Sequence, residues 1–164
     1  MCPTPRSAPA LPFWKAATRG TFYISGGLTG QREADRTLIS AEGCAELLRR
    51  GHELGCHTFA HPNLRHQYGD ALERDIASNQ VFLAGLAGGR RPTNFAYPYN
   101  AGSFRARALM ARTFRSARGG LNGINRGLTD RTYLHGVPIQ QPEESVLALR
   151  GVVDDLVANP GWLI

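Results

Sequence analysis

Short β-favouring runs alternate with segments of helical periodicity along this chain, and that order limits its fold more than any other feature. Thr21-Phe22-Tyr23-Ile24-Ser25 is a compact β-rich run closed by Gly26-Gly27. Ser40 is placed to N-cap a helix running through Leu47-Leu48 to Arg50, with Gly51 as its stop. Glu53-Leu54-Gly55-Cys56 reads as a short strand that feeds the loop His57–Arg65. In the next helix Leu72, Ile76, Leu83 and Leu86 recur near helical spacing, with Asp70 expected as cap, Glu73 at the capping-box position and Gly88-Gly89 as the end. Asn94–Tyr97 predicts a strand ending at Pro98. Ser103 predicts the cap of a helix containing Leu109 and Met110, and Thr113–Ala117 a further strand. A Gly- and Asn-rich loop, Gly119–Gly127, leads to Tyr133–Ile139. Pro142 suits the first turn of a helix reaching Ala158, and Asn159-Pro160-Gly161 ends it before the apolar run Trp162-Leu163-Ile164. Strand–helix alternation of this kind predicts an α/β fold with a parallel sheet or barrel.

Composition narrows the function classes. The 164 residues are 42% apolar, the amount expected of one globular domain spanning 1–164, and no stretch approaches the ~18 consecutive apolar residues of a membrane span. The formal charge of +6 comes from 18 arginines and Lys15. They fall as singles and pairs such as Arg49-Arg50 and Arg90-Arg91; the densest stretch, Arg105 to Arg118, reads as a possible basic helix face. No aromatic residues interleave there as stacking platforms, and no helix-turn-helix or zinc-finger spacing occurs. A solvated arginine-rich surface is therefore expected, and no nucleic-acid partner. Cys2, Cys44 and Cys56 show no paired spacing and read as reduced thiols. The segment Met1–Trp14 is Pro-rich and lacks a charged region followed by an apolar one, so no signal peptide is read and a cytoplasmic location is expected.

The chemistry concentrates in His57-Thr58-Phe59-Ala60-His61-Pro62. Pro62 disfavours helical geometry at His61, so the two histidines are expected on a loop that folds both rings toward one point. Neutral imidazole is a good zinc ligand, and a catalytic zinc site leaves a position open for water. His52 and His66 have no partner at useful spacing and read as structural.

The wording around the pair adds specificity. Gly51-His52-Glu53-Leu54-Gly55-Cys56-His57-Thr58, continuing to His61-Pro62, closely resembles the metal-binding motif of the polysaccharide deacetylase family (carbohydrate esterase family 4). Gly20–Ile24 resembles that family's second strand, and Phe95-Ala96-Tyr97-Pro98-Tyr99 its Pro-Tyr motif. The resemblance implies an incomplete, distorted (β/α) barrel lacking its first strand and the end of its last. It also implies a metal-dependent hydrolase that removes acetyl groups from carbohydrate or a small acetylated substrate. His57 and His61 would be two of three ligands to a divalent metal, usually zinc, and the Tyr99 peptide N–H would stabilise the oxyanion.

The sequence departs from the family pattern in three places. The family's adjacent Asp pair, one a ligand and one the base, precedes the run matching Thr21–Ile24. No Asp occurs here before Asp35, and Pro5-Arg6-Ser7-Ala8 resembles the family's residues just after that pair. Ala96 stands where many members carry an Arg that orients the base. The general acid is a late His: either His135 serves, or Gly161–Ile164 opens the strand that would carry it and His135 is a loop residue without catalytic duty. An inactive or nearly inactive chain is therefore expected. A degenerate metal- or glycan-binding domain and a basic nucleic-acid-binding module are the alternatives.

Overall fold

The computed structural model describes residues 19–120, 123–138 and 142–164, with the side chains of 142–148 excepted. The Pro-rich segment 1–15, Cys2 and Ile139 lie outside the described residues. Five strands form one parallel sheet in chain order: β1 (Thr21–Ile24), β2 (Glu53–Cys56), β3 (Asn94–Ala96), β4 (Ser116–Gly120) and β5 (Leu134–His135). Helices α1 (Ala41–Arg49), α2 (Asp70–Leu86) and α3 (Phe104–Thr113) make the first three crossovers, and α4 (Pro142–Ala158) follows β5. The sequential order is that of a barrel wall, and the sheet is not closed.

Strand alternation divides the sheet into two chemistries. Ile24, Leu54, Cys56, Phe95 and Ala117 pack against Cys44 and Leu47 of α1, Leu72, Ile76 and Leu83 of α2, and Ala106 and Met110 of α3. The opposite, inward face is built in layers. Its lowest layer is a polar ladder in which Glu53 accepts from Thr21 Oγ1 (2.6 Å) and Asn94 Nδ2 (2.7 Å), and Ser116 Oγ donates to Asn94 Oδ1 (2.8 Å). Tyr23, Gly55, Ala96 and Arg118 make the next layer, paired in register as Tyr23–Gly55 and Ala96–Arg118. Gly55 is required there, because a Cβ would come within 2.5 Å of the Tyr23 ring.

The expected helix caps Ser40 and Ser103 accept from Gly43 N and Ala106 N. Five expectations need correction. The cap of α2 is Gly69 at φ 63°, so Asp70 is the first helical residue; Glu73 N–H bonds Gly69 O and no side-chain cap forms. The strand expected at Thr113–Ala117 is Ser116–Gly120, because α3 runs one turn further: Phe114 N–H bonds Met110 O and Thr113 Oγ1 bonds Leu109 O. Arg105 and Arg107 consequently lie on α3 while Arg118 lies in the sheet, so Arg105–Arg118 is not one helix face. The strand predicted over Asn94–Tyr97 stops at Ala96, and Trp162 makes only an isolated antiparallel bridge to Asn125 rather than opening a strand.

Cys44 and Cys56 are buried free thiols, and burial pushes Cys56 up to about 11. Among the described residues no helix is long and apolar enough to cross a membrane.

Candidate metal centre

Parallel strands bring all their C-terminal ends, and the loops that follow, to one edge of the sheet. Two of those loops build the site. After β2 the ladder continues for one residue, with His57 N–H donating to Ile24 O at 3.1 Å, and then breaks. Thr58 and His61 both take left-handed backbone, φ 65° and 55°. Asp75 on α2 holds this turn by accepting Phe59 N–H at 2.7 Å and Ala60 N–H at 3.0 Å. One helical turn on, buried Asn79 clamps the neighbouring β1 turn, accepting Gly26 N–H and donating to Ile24 O, each at 2.8 Å.

The loop turns both imidazoles to a common point. His57 Nε2 and His61 Nε2 are 3.2 Å apart, with ring centroids 4.8 Å apart. Two nitrogens of a tetrahedral zinc site, each ~2.0–2.1 Å from the ion, stand about 3.3 Å from one another, so the pair fits such an ion. His57 Nδ1 lies 2.7 Å from Ala96 O. A carbonyl only accepts, so the ring proton is on Nδ1 and the Nε2 lone pair faces His61; a backbone carbonyl orienting a ligand histidine is the usual outer-shell arrangement. Burial lowers the proton affinity of His57 to about 4 against the bond to Ala96, with smaller lowering contributions from His61 and Arg118. His61 is lowered too, by burial, with Glu33 opposing. Both rings are therefore neutral near pH 7, the state that binds metal.

The second loop follows β3. Pro98–Asn100 form a single tight turn in which Tyr99 (φ 57°, ψ 19°) and Asn100 (φ 50°) are left-handed. The exposed Tyr99 ring lies 4.7 Å from His61, edge to face, while its neighbour Tyr97 is buried and donates to Thr132 O at 2.9 Å. Among the described residues, Thr58, His61, Tyr99 and Asn100 are the non-glycine residues with positive φ, and all four border this site. Such strain concentrates where surrounding structure overrides local preference. Beside the histidines opens a cavity of about 220 Å³, also lined by Tyr23, Ser25, Thr29, Glu33 and Arg36.

Of the residues the sequence singled out, His57, His61 and Tyr99 meet here. His135, expected either as the general acid or as a loop residue, ends β5, and a Cβ on Gly120 would lie 2.8 Å from its ring. Among the described residues no three His, Cys, Asp or Glu side chains converge on one metal. Sequence reasoning missed Asp75, Glu33 and Arg118. The nearest available signal was Asn79, a polar residue in the Leu72–Ile76–Leu83 stripe, one turn from Asp75.

A family model described as polysaccharide deacetylase matches residues 3–113. The chain belongs to the polysaccharide deacetylase family. A chitooligosaccharide deacetylase of Azorhizobium caulinodans is 42% identical over 53 residues, which cover 32% of this chain and 25% of that protein. The structure of IcaB from Ammonifex degensii shares the fold at a TM-score of 0.65 and 18% identity, covering 83% of this chain and 63% of that one. Streptococcus pyogenes deacetylase PplD in complex with acetate gives a TM-score of 0.65 at 19% identity, covering 83% and 60%. The match thus spans a quarter of the curated relative's length and under two thirds of these solved chains.

Proposed function

We propose that this polysaccharide deacetylase domain hydrolyses acetyl groups from an acetylated carbohydrate at the His57–His61 site, with zinc as the metal the two rings hold. The observation that carries the reading is the 3.2 Å approach of two neutral Nε2 atoms, one of them oriented by Ala96 O. Zinc bound there would supply Lewis acidity toward the acetyl carbonyl and lower the pKa of water. The chain's own groups do the rest. His57 and His61 are held rigid by Ala96 O and by Asp75 through the loop backbone. The Tyr99 N–H, fixed in a tight turn beside His61, donates to the oxygen that gains negative charge as water attacks. The Tyr99 ring and the cavity of about 220 Å³ leave room for a sugar unit next to the histidines.

With no third protein ligand among the described residues, turnover is expected to be slow. The same observation favours a second reading, a domain that binds metal or glycan without hydrolysis. Zinc content of the purified chain, together with acetate release from an acetylated chitooligosaccharide, separates the two. About one zinc per chain, lost in His57→Ala and His61→Ala, with acetate release that those variants abolish, supports the deacetylase. Zinc retained by both variants overturns the site, and zinc binding without acetate release selects the second reading.

A further inference from the structure

The N-terminal edge of the sheet, opposite the histidine pair, is the end of such folds that ordinarily serves stability. Here it gathers members of both basic stretches of the sequence. Arg90 and Arg91 follow the end of α2, Arg112 lies in the last turn of α3, and Arg115 immediately precedes β4. Arg115 N–H donates to Thr93 O at 2.7 Å, so the loops entering β3 and β4 are fastened together by backbone. Beside them opens a cavity of about 450 Å³ lined by Arg91, Arg112, Arg115, Gln80, Thr93 and Thr113, with no carboxylate lining it among the described residues.

Helix ends account for part of this charge, because a cation is favoured at a helix C-terminus. Arg90 Nε donates to Ala87 O, at the C-cap of α2, at 3.3 Å, and Arg112 closes α3. Arg91 and Arg115 lie on neither helix. The ion pairs among the described residues include neither of them. Glu73 stands 3.8 Å from Arg112 Nη2, too far for a hydrogen bond, with both side chains exposed. Glu53, at the same edge, already accepts from Thr21, Thr93 and Asn94. Arg115 Nη2 reaches only the neutral Asn94 Oδ1, at 3.4 Å.

Three guanidinium groups therefore border one cavity with no anion among them. Each is a permanently charged planar fork of N–H donors, and such forks take phosphate oxygens two at a time. The cavity exceeds what a single phosphoryl group fills, and no aromatic ring lines it on which a nucleic-acid base would stack.

We propose that Arg91, Arg112 and Arg115 form an anion site for a ligand carrying two or more linked phosphoryl groups, at the end of the sheet away from the histidines. The site is independent of the deacetylase reading, since it needs neither metal nor turnover.

Calorimetric titration of the whole chain with inorganic pyrophosphate in about 150 mM NaCl tests the proposal, because salt at that level screens diffuse surface attraction. One saturable site per chain is expected. Arg91→Gln and Arg115→Gln should each weaken it at least about tenfold, and Arg91→Lys, which keeps the charge but loses the fork, by a smaller factor. Arg50→Gln, an equal loss of charge at a residue already paired with Glu46, should leave binding unaltered, as should His57→Ala. No saturable binding, wild-type affinity in both glutamine variants, or equal weakening by Arg50→Gln overturns the proposal. Loss of binding in His57→Ala places the pyrophosphate at the histidine pair and overturns it as well. A short DNA duplex that binds more tightly than pyrophosphate through the same arginines assigns the cluster to a nucleic acid instead. Should Arg115→Gln fail to fold, Arg91→Gln and Arg91→Lys decide, since Arg91 is exposed.

Discussion

At the N-terminal end of β2, His52 Nδ1 accepts the Gly20 N–H at 3.1 Å, and its ring stands edge-on to Phe22 at 5.2 Å. At the C-terminal end of the same strand, His57 uses Nδ1 as a donor to Ala96 O and aims Nε2 at His61. Four residues separate two histidines with opposite duties. Around His52 the backbone is stitched into the sheet, and Glu53 ties Thr21, Thr93 and Asn94 together. Around His57 the ladder stops, left-handed residues gather, and side chains from α2 replace strand partners. In a parallel sheet the N-terminal end can be optimised for stability because the loops that could build a site leave from the other end.

The sharpest way to break this contrast is to remove His57. His57→Ala should take zinc content from about one per chain to nearly none, since a single remaining imidazole cannot hold the ion against competing buffer. Glu53→Ala tests the other end. Hydrogen bonds to a charged acceptor are worth ~1.5–3 kcal/mol each and are not additive, so a loss of ~2–4 kcal/mol in denaturant unfolding is expected. Zinc content of the folded fraction should not change. If Glu53→Ala strips zinc as thoroughly as His57→Ala, the two ends are not separable.

Asp75→Ala probes the link between helix and site. The two loop N–H groups can turn to water, so stability should fall by only ~1–2 kcal/mol. Zinc affinity should fall by ~10-fold or more, the range typical of losing an outer-shell support. Leu83→Ala, in the same helix but facing the core, is the control. It should cost ~2–5 kcal/mol and leave zinc affinity unaltered. Equal effects of both variants on zinc would reduce Asp75 to ordinary stabilisation.

Acid titration of chelator-treated protein carries a smaller signal. His57 has a proton affinity of about 4 in the fold, against ~6.5 in the unfolded chain. Below ~6.5 the unfolded state takes up the proton first, so stability present at neutral pH is lost progressively as pH falls toward the folded value. Paired carboxylates such as Asp130, held low by Thr132 and Arg107, add their losses only below about pH 4. The slope of melting temperature between those limits should therefore flatten in His57→Ala, and an unchanged slope would refute the assigned burial of that ring.

Much of this was legible locally. β1, β2 and the Ser40 and Ser103 caps follow from β-rich runs and hydroxyl caps a few residues long. The histidine pair was legible because its spacing of four and Pro62 lie within one loop. What escaped depends on register. Arg118 lies over the Tyr23 ring only because β4 pairs with β3 three residues later in the sequence than Thr113-Phe114 suggests: Thr113 still belongs to α3 and Phe114 caps it. Asp75 meets Phe59 and Ala60 only through the packing angle of α2 on the sheet, which no window of sequence contains.

His52→Ala is the variant with the smallest expected effect and the most direct bearing on the two-ends contrast. It removes one acceptor for Gly20 N–H, at an exposed place where water can substitute, together with one edge-on contact to Phe22. An exposed neutral hydrogen bond and a ring contact of this kind are worth about 1 kcal/mol or less together. The residue belongs to the same Gly-His-Glu-Leu-Gly stretch that resembles the family's metal-binding motif, so a motif-based view alone gives it equal weight with His57. The geometry gives it none in metal binding, because the strand carries its ring to the opposite end of the sheet. Zinc content and acetate release equal to wild type, with a melting temperature lower by at most a few degrees, are the expected results. A loss of zinc in His52→Ala would mean that the N-terminal end of β2 sets the position of His57 through the strand itself, and the division of labour between its ends would have to be abandoned.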